Sequence, residues 1–441
     1  VYSYSEQKGN TMKKNRLSLA TAATFVLGIV LASPVRADEV LDWNGVLQHA
    51  LVTNVPPVPG ALQFRIAAIV HASIFDALNG IERRFTPIHV NTEAPRGASR
   101  RAAVVQAAYT ALLALLPVNS ALYNQQLQDS LSGIGADSAN ENSVSVALGR
   151  QWGAQVANEI LAWRATDGLN PPAPPYLGSN DPGKWRPTPP GFLPGLAPTL
   201  AHTLPWVIPS PSSFRPAGPP ALTSAEYTAD FNEEKAVGEL TSFVRTADQT
   251  QAAIFWGSTA LTFWNRAAAS AAVQRNTNLS ENARLFALLT AAQADSAISC
   301  WDAKYFYEFW RPITAIRLAS TDGNPDTVEQ ADWTPLLITP PYPEYSSGHA
   351  TVTGAAQAIL TAYFGNDLPV QGFSEGLPGV TRSWPNFAAA ADEANLARIW
   401  GGIHFRTAVR DARAAGDAIG LFVIDHAAQP VNGQHNGQLG K

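Results

Sequence analysis

The chain has 441 residues, 46% apolar and only 15% charged, with a formal net charge of −5 at pH 7. That is enough apolar material for one large or two ordinary domains, and it excludes global disorder. The acidic balance argues against a nucleic-acid binder working by bulk electrostatics. A single cysteine, Cys300, excludes an intrachain disulfide or a cysteine metal cluster and reads as core filler.

The first feature in chain order is an address. Lys13, Lys14 and Arg16 precede an apolar run over residues 17–32, and Val35-Arg36-Ala37 places small residues at a signal-peptidase site. The run is short for a membrane span. Residues 12–37 therefore read as a signal peptide starting at Met12 and cleaved after Ala37. The expected product is secreted or periplasmic, with no stable membrane span afterwards, and is held together by packing alone.

Residues 38–167 read as an N-terminal helical part. Residues 63–81 carry the apolar stripe Ile66, Ile69, Val70 and Ile74. His71, Asp76 and Asn79 in the same stretch are expected as satisfied polar groups at a helix–helix contact. Helices over 100–116, 121–131 and 143–163 follow, punctuated by Pro117, Gly133 and Gly168. In residues 168–222 the prolines (among them Pro171, Pro172, Pro174, Pro175, Pro187, Pro189 and Pro190) are too dense for regular helix or strand. Trp185 and Trp206 argue against a solvated linker there, so an ordered extended segment is expected, lying on the helical core and rimming an active-site mouth.

Helices resume in a core spanning 223–428. Thr223-Ser224-Ala225-Glu226 has the capping-box pattern, and helices are expected over 249–275, 281–309, 351–364, 386–400 and 405–426. The second of these has Leu285, Leu288, Leu289 and Ala292 at helical spacing, with Ser280 as N-cap. Residues 429–441 read as a flexible tail. No alternating strand pattern of useful length appears. The expected fold is all-α: a large helical-bundle protein, two packed bundles, with a long Pro-rich ordered loop.

Three clusters in this core carry chemistry. Lys304 and Arg311 are seven apart, which on one helix is one face and roughly 10 Å. A helix that stops at Pro312 would let both cations close on one anion. Ser347-Gly348-His349 sits where a Pro-rich loop becomes a helix, and free N–H groups there, the Ser347 hydroxyl and the close approach allowed by Gly348 suit an anion. His349 is placed for proton transfer. Arg398 and His404 would point apart on an unbroken helix, and Gly401-Gly402 can break it so that they converge. Taken singly, each cluster has a bland alternative: solvated charges on an amphipathic face, a serine N-cap beside an incidental histidine, a core histidine. Together they describe a cradle for a tetrahedral oxyanion.

The clusters resemble the tripartite signature shared by vanadium-dependent haloperoxidases and the type 2 phosphatidic acid phosphatase superfamily: K-x6-R-P, P-S-G-H and S-R-x5-H-x3-D. Here it reads Lys304-x6-Arg311-Pro312, Ser346-Ser347-Gly348-His349 and Ala397-Arg398-x5-His404. Trp301, the His404-Phe405-Arg406 triplet, the chain length and the helical N-terminal half are similar to the haloperoxidase branch. The resemblance implies vanadate as cofactor, held by Lys304, Arg311, Arg398, Ser347 and the Gly348 amide, with His404 as the one protein ligand to vanadium. It implies His349 as acid–base group and Trp301 and Tyr342 as the halide site. Three positions depart from the signature. Ser346 replaces proline, Ala397 replaces serine, and Ala408 stands where an aspartate is common, with Asp411 one turn on as a candidate substitute.

The resulting expectation is a secreted vanadium haloperoxidase acting on hydrogen peroxide, halide and a small organic acceptor. One alternative is a phosphoesterase using the same residues through a phosphohistidine on His404, and a second is an inert oxyanion-binding helical protein. His49, His89, His202, His426 and His435 lack ligand spacing and read as surface or core residues. Halide preference and oligomeric state stay open.

Overall fold

The computed structural model describes residues 38–137 and 141–431. The expected signal peptide at 12–37, His435 and the tail from 432 onward lie outside the described residues.

Helix α1 (Glu39–Thr53) begins at Asp38, whose carboxylate accepts from the N–H groups of Val40 and Leu41. Helices α2 (Gly60–Glu82), α3 (Arg100–Leu115), α4 (Ser120–Ala136) and α5 (Ser143–Ala165) complete an N-terminal bundle in which α2, α3 and α5 pack on one another. α2 is long and apolar enough to cross a membrane, yet 78% of its apolar window is buried against protein, which makes it a core helix. Its residues His71, Asp76 and Asn79 are buried and bonded. The His71 ring contacts Asn44 of α1 at 3.1 Å, while Asp76 and Asn79 grip the backbone of the loop that follows rather than another helix.

The Pro-rich stretch is ordered, with two short 3-10 turns at Pro198–His202 and Pro211–Phe214. Its N–H groups at Trp206, Val207 and Ile208 all donate to Asp295. The carbonyl of Leu196 accepts from Trp301 Nε1 and Tyr305 Oη, and the Leu196 N–H donates to Pro341. The segment thus lies against Trp301 and the loop that carries Tyr342.

The second bundle begins with α6 (Ala225–Val237). Its N-cap is Ser224, which accepts from Tyr227 N–H, so the expected box from Thr223 to Glu226 does not form; Glu226 pairs with Arg410 instead. The helix expected over 249–275 is two helices, α7 (Ala247–Phe255) and α8 (Ala260–Arg275). Gly257, Ser258 and Thr259 break it, being respectively a poor helix former and two residues that favour helix starts. α9 (Leu279–Tyr307) is capped by Asn278 in a box with Glu281, not by Ser280. Residues 282–304 are continuously buried, with Leu285, Phe286, Leu288 and Leu289 each contributing roughly 1.5–3 kcal/mol. This central helix packs on α2 across the seam between the bundles.

After α10 (Pro312–Arg317) and a long loop, α11 (Gly348–Phe364) runs into a hairpin of β1 (Val370–Phe373) and β2 (Thr381–Trp384), antiparallel with Val370 opposite Trp384. The hairpin escapes a pattern reading because each strand has four residues and mixed burial. Helices α12 (Phe387–Trp400) and α13 (Arg406–His426) finish the bundle. α11 and α13 approach so closely at Gly416 that a Cβ there would lie 2.0 Å from the Thr351 carbonyl oxygen. Among the described residues the architecture is all-α apart from the hairpin.

Candidate active site

The site forms where the ends of α9 and α12 meet the starts of α11 and α13. α9 stops at Tyr307, four residues before the arginine of the first cluster, because Glu308 turns left-handed (φ 57°). Phe309–Arg311 is extended and Pro312 starts α10. Lys304 and Arg311 therefore converge from a helix end and an extended turn rather than from one helical face.

Arg311 donates through Nε to the Tyr342 carbonyl and through Nη1 to that of Ile403, both at 2.8 Å, and Nη1 lies 3.2 Å from His404 Nε2. Arg398, in the last turn of α12, donates through Nη1 to the Trp256 carbonyl at 2.8 Å. Both guanidinium groups are fully buried. Among the described residues, Arg311 Nη2, Arg398 Nε and Nη2, and the Ser347 hydroxyl have no hydrogen-bond partner. Buried cationic donors left without an acceptor are costly unless a ligand supplies one. An anion with several oxygens fits this donor set, and Gly348, the first residue of α11, adds the free N–H of a helix start.

Lys304 behaves differently. Its ammonium donates to three backbone carbonyls, those of Pro343 and Glu344 at 2.9 Å and that of Ser346. It ties down the loop before Ser347, and burial pushes its pKa down to about 7. Cys300, also buried, donates from Sγ to the Ser346 carbonyl and braces the same loop. Trp301 and Tyr342 stack at a tilt, with centroids 5.0 Å apart, and the Tyr342 ring covers both Lys304 Nζ at 5.0 Å and Arg311 at 4.8 Å.

The two histidines are held in opposite tautomers. His349 contacts the Ser258 carbonyl through Nε2 at 2.8 Å. A carbonyl only accepts, so Nε2 carries the proton and Nδ1 the lone pair. Burial and then Arg398 push its pKa down to about 3, so the ring is neutral. His404 is reached after Gly402 (φ +77°) turns the chain so tightly that a Cβ would lie 2.4 Å from the Gly238 carbonyl oxygen. Its Nδ1 is 2.8 Å from Glu344 Oε1, and the same oxygen accepts the Phe405 N–H at 3.0 Å. An oxygen that accepts a backbone N–H is unprotonated on that side, so Nδ1–H donates and Nε2 keeps the lone pair that faces Arg311. Burial and the three cations hold His404 well below its ordinary pKa.

The sequence reading missed Glu344, which is fully buried, its pKa raised to about 8 by burial against the pull of Arg311 and Lys304. The signal available was a carboxylate inside the second cluster. Behind it, Glu234 is fully buried; burial and then Glu344 push its pKa well up, against the pull of the His404 backbone N–H. Asp411 does not reach His404 and instead accepts from Tyr345 Oη at 2.7 Å. Also missed were the Trp256 and Ser258 carbonyls, freed by the break between α7 and α8. The Ser258 and Ser374 hydroxyls, 2.8 Å apart, link that turn to the β1–β2 hairpin. His89 stacks on Trp163 and His426 on Phe422, away from this site.

Comparison with known proteins converges on one family. Residues 284–433 match the VCPO second helical-bundle domain. The vanadium chloroperoxidase of Curvularia inaequalis is 30% identical over 181 residues, 34% of this chain and 29% of that protein, so the chain matches under a third of that relative's length. A crystal structure described as the first bacterial vanadium-dependent iodoperoxidase superposes with a TM-score of 0.75 at 27% identity, covering 89% of this chain and 97% of the other. Over residues 284–433, and in overall fold, the chain is similar to the vanadium-dependent haloperoxidases. An apo-type bacterial vanadium-dependent chloroperoxidase, 18% identical, shares the fold with a TM-score of 0.67 over 84% of this chain and 94% of that one. The match at 284–433 contains the side chains of the cradle. The turn that holds Arg398 and His349 through its carbonyls lies outside it.

Proposed function

We propose that this protein is a vanadium-dependent haloperoxidase that uses hydrogen peroxide to oxidise halide to hypohalous acid, which then halogenates a small organic acceptor. The observation that carries the reading is the set of unpartnered buried donors on Arg311, Arg398 and Ser347 around the unprotonated Nε2 of His404, which meets Arg311 Nη1. Vanadate would be held by Arg311, Arg398, Ser347 and the Gly348 N–H, with His404 Nε2 as its protein ligand. Lys304 adds positive charge while fixing the 343–346 loop. When bound, vanadate supplies Lewis-acid activation of peroxide without a change of oxidation state. His349 is neutral with its Nδ1 lone pair available, so it can take a proton from incoming peroxide and return it to the water that leaves. Trp301 and Tyr342 shield the cations and offer ring edges at which a halide could rest.

The test is bromination of a phenolic dye with hydrogen peroxide and bromide, with and without orthovanadate. Turnover that needs vanadate, is blocked by phosphate and disappears in His404→Ala is the expected outcome. Phosphoester hydrolysis inhibited by vanadate, with no bromination, would replace the reading with a hydrolase. Inactivity in both assays with oxyanion binding retained would leave a binding protein.

A further inference from the structure

Glu344 has a geometry that simple loop-filling does not require. Its backbone is pinned on both sides, the N–H donating to the Phe309 carbonyl at 2.9 Å and the carbonyl accepting from Lys304. The side chain is therefore delivered to one place, and there a single oxygen receives both the His404 ring N–H and the Phe405 N–H. Two consecutive residues are gripped by one oxygen at the entry to α13, immediately after the Gly402 turn. An imidazole with no partner on Nδ1 can flip about its ring axis or change tautomer, and either removes the Nε2 lone pair from the donors of Arg311 and Arg398. The start of α13 supplies no carboxylate of its own, since Ala408 packs in the core and gives its carbonyl to the Ser347 N–H.

We propose that the Glu344 carboxylate is the positioning residue for His404. It fixes the Nδ1–H tautomer, aims Nε2 into the cradle and strengthens that nitrogen as a ligand. The inference rests on the reading of the site as one that takes an oxyanion on His404 Nε2.

The experiment measures orthovanadate affinity by equilibrium dialysis for the wild type, His404→Ala, Glu344→Ala and Glu344→Gln, with a thermal melt for each. Nitrogen-15 NMR of histidine-labelled protein reads the His404 tautomer. Glu344→Ala is expected to bind vanadate about 10–100-fold more weakly and to lose the single Nδ1–H tautomer. Glu344→Gln has nearly the same shape and keeps an acceptor for both N–H groups. It is expected to retain the tautomer and lose on the order of threefold to tenfold in affinity, because an amide, unlike the carboxyl, cannot ionise to strengthen the bond when His404 takes up vanadate. It decides the matter alone if the alanine variant does not fold. Either folded variant binding within about twofold of wild type would overturn the proposal. A wild type that binds no vanadate would instead overturn the functional reading, and the two failures are distinct.

Discussion

Asp76 in α2 and Asp295 in α9 are buried as deeply as Arg398, and each carboxylate receives three consecutive backbone N–H groups at 2.7–2.9 Å. Among the described residues Arg398 has one partner and two nitrogens without any, and Arg311 Nη2 and the Ser347 hydroxyl are unmet as well. Both kinds of residue are polar, buried and far from the chain segments they contact. In the first kind the protein completes its own hydrogen bonds, which holds loops onto the bundles. In the second it leaves them incomplete around one point, and only an added acceptor completes them. Residual hydrogen-bonding capacity, more than burial or charge, separates what holds this fold from what the fold holds.

The largest effect should come from breaking the completed kind. Asp295→Ala strands the N–H groups of Trp206, Val207 and Ile208 inside the Pro-rich segment, and urea unfolding at neutral pH should register a loss of about 3–5 kcal/mol. Burial also pushes the Asp76 and Asp295 carboxyls up from 3.8 to about 6, against the pull of their N–H donors. The folded protein then keeps a proton that the unfolded chain has released. Each group contributes stability that is complete below about pH 3.8 and is lost as pH rises through about 6, to the extent of about 3 kcal/mol. Urea midpoints across this window should fall with rising pH, and Asp295→Asn should remove part of that slope.

The incomplete kind should respond in the opposite sense. Arg398→Met removes a buried cation with two unmet nitrogens, so the melting temperature of the vanadate-free protein should hold or rise. Vanadate affinity should fall by about 100-fold, the equivalent of about 2.7 kcal/mol. Saturating vanadate at 100 times Kd should stabilise the wild type by about 2.7 kcal/mol and the variant by only about 0.4 kcal/mol at the same concentration. A variant that melts much lower and still binds would erase the distinction between the two regions.

Much of this was legible in the sequence, for reasons that particular residues make plain. The stripes of α2 and α9 follow from apolar spacing, and the three cationic and histidine clusters are local patterns whose order along the chain the fold preserves. Three things were not legible. The α7–α8 break depends on Gly257-Ser258-Thr259 outweighing apolar flanks that read as continuous helix. Its product, carbonyls for Arg398 and His349, is backbone and so has no side-chain signature. Lys304 could be identified as a cation, but not that its three hydrogens point at carbonyls of the 343–346 loop. Glu344 reaches His404 across sixty positions of sequence, and no periodicity encodes a contact made by a loop.

The smallest predicted effect discriminates between two carboxylates. By spacing alone, Asp411 is the natural support for His404, one turn beyond the position where Ala408 stands. In the fold it faces Tyr345, accepting from Oη at 2.7 Å while Arg410 pairs with its other oxygen. Tyr345 is buried, so Asp411→Ala leaves a hydroxyl without its acceptor, and the cost should be about 1 kcal/mol in urea unfolding. Vanadate affinity should stay within about twofold of wild type, because nothing that touches His404, Arg311 or Arg398 has moved. A tenfold loss of affinity in a stably folded Asp411→Ala protein would mean that support for His404 runs through Tyr345 and the loop it belongs to. Asp411 would then be a carboxylate that serves the ligand as well as the fold.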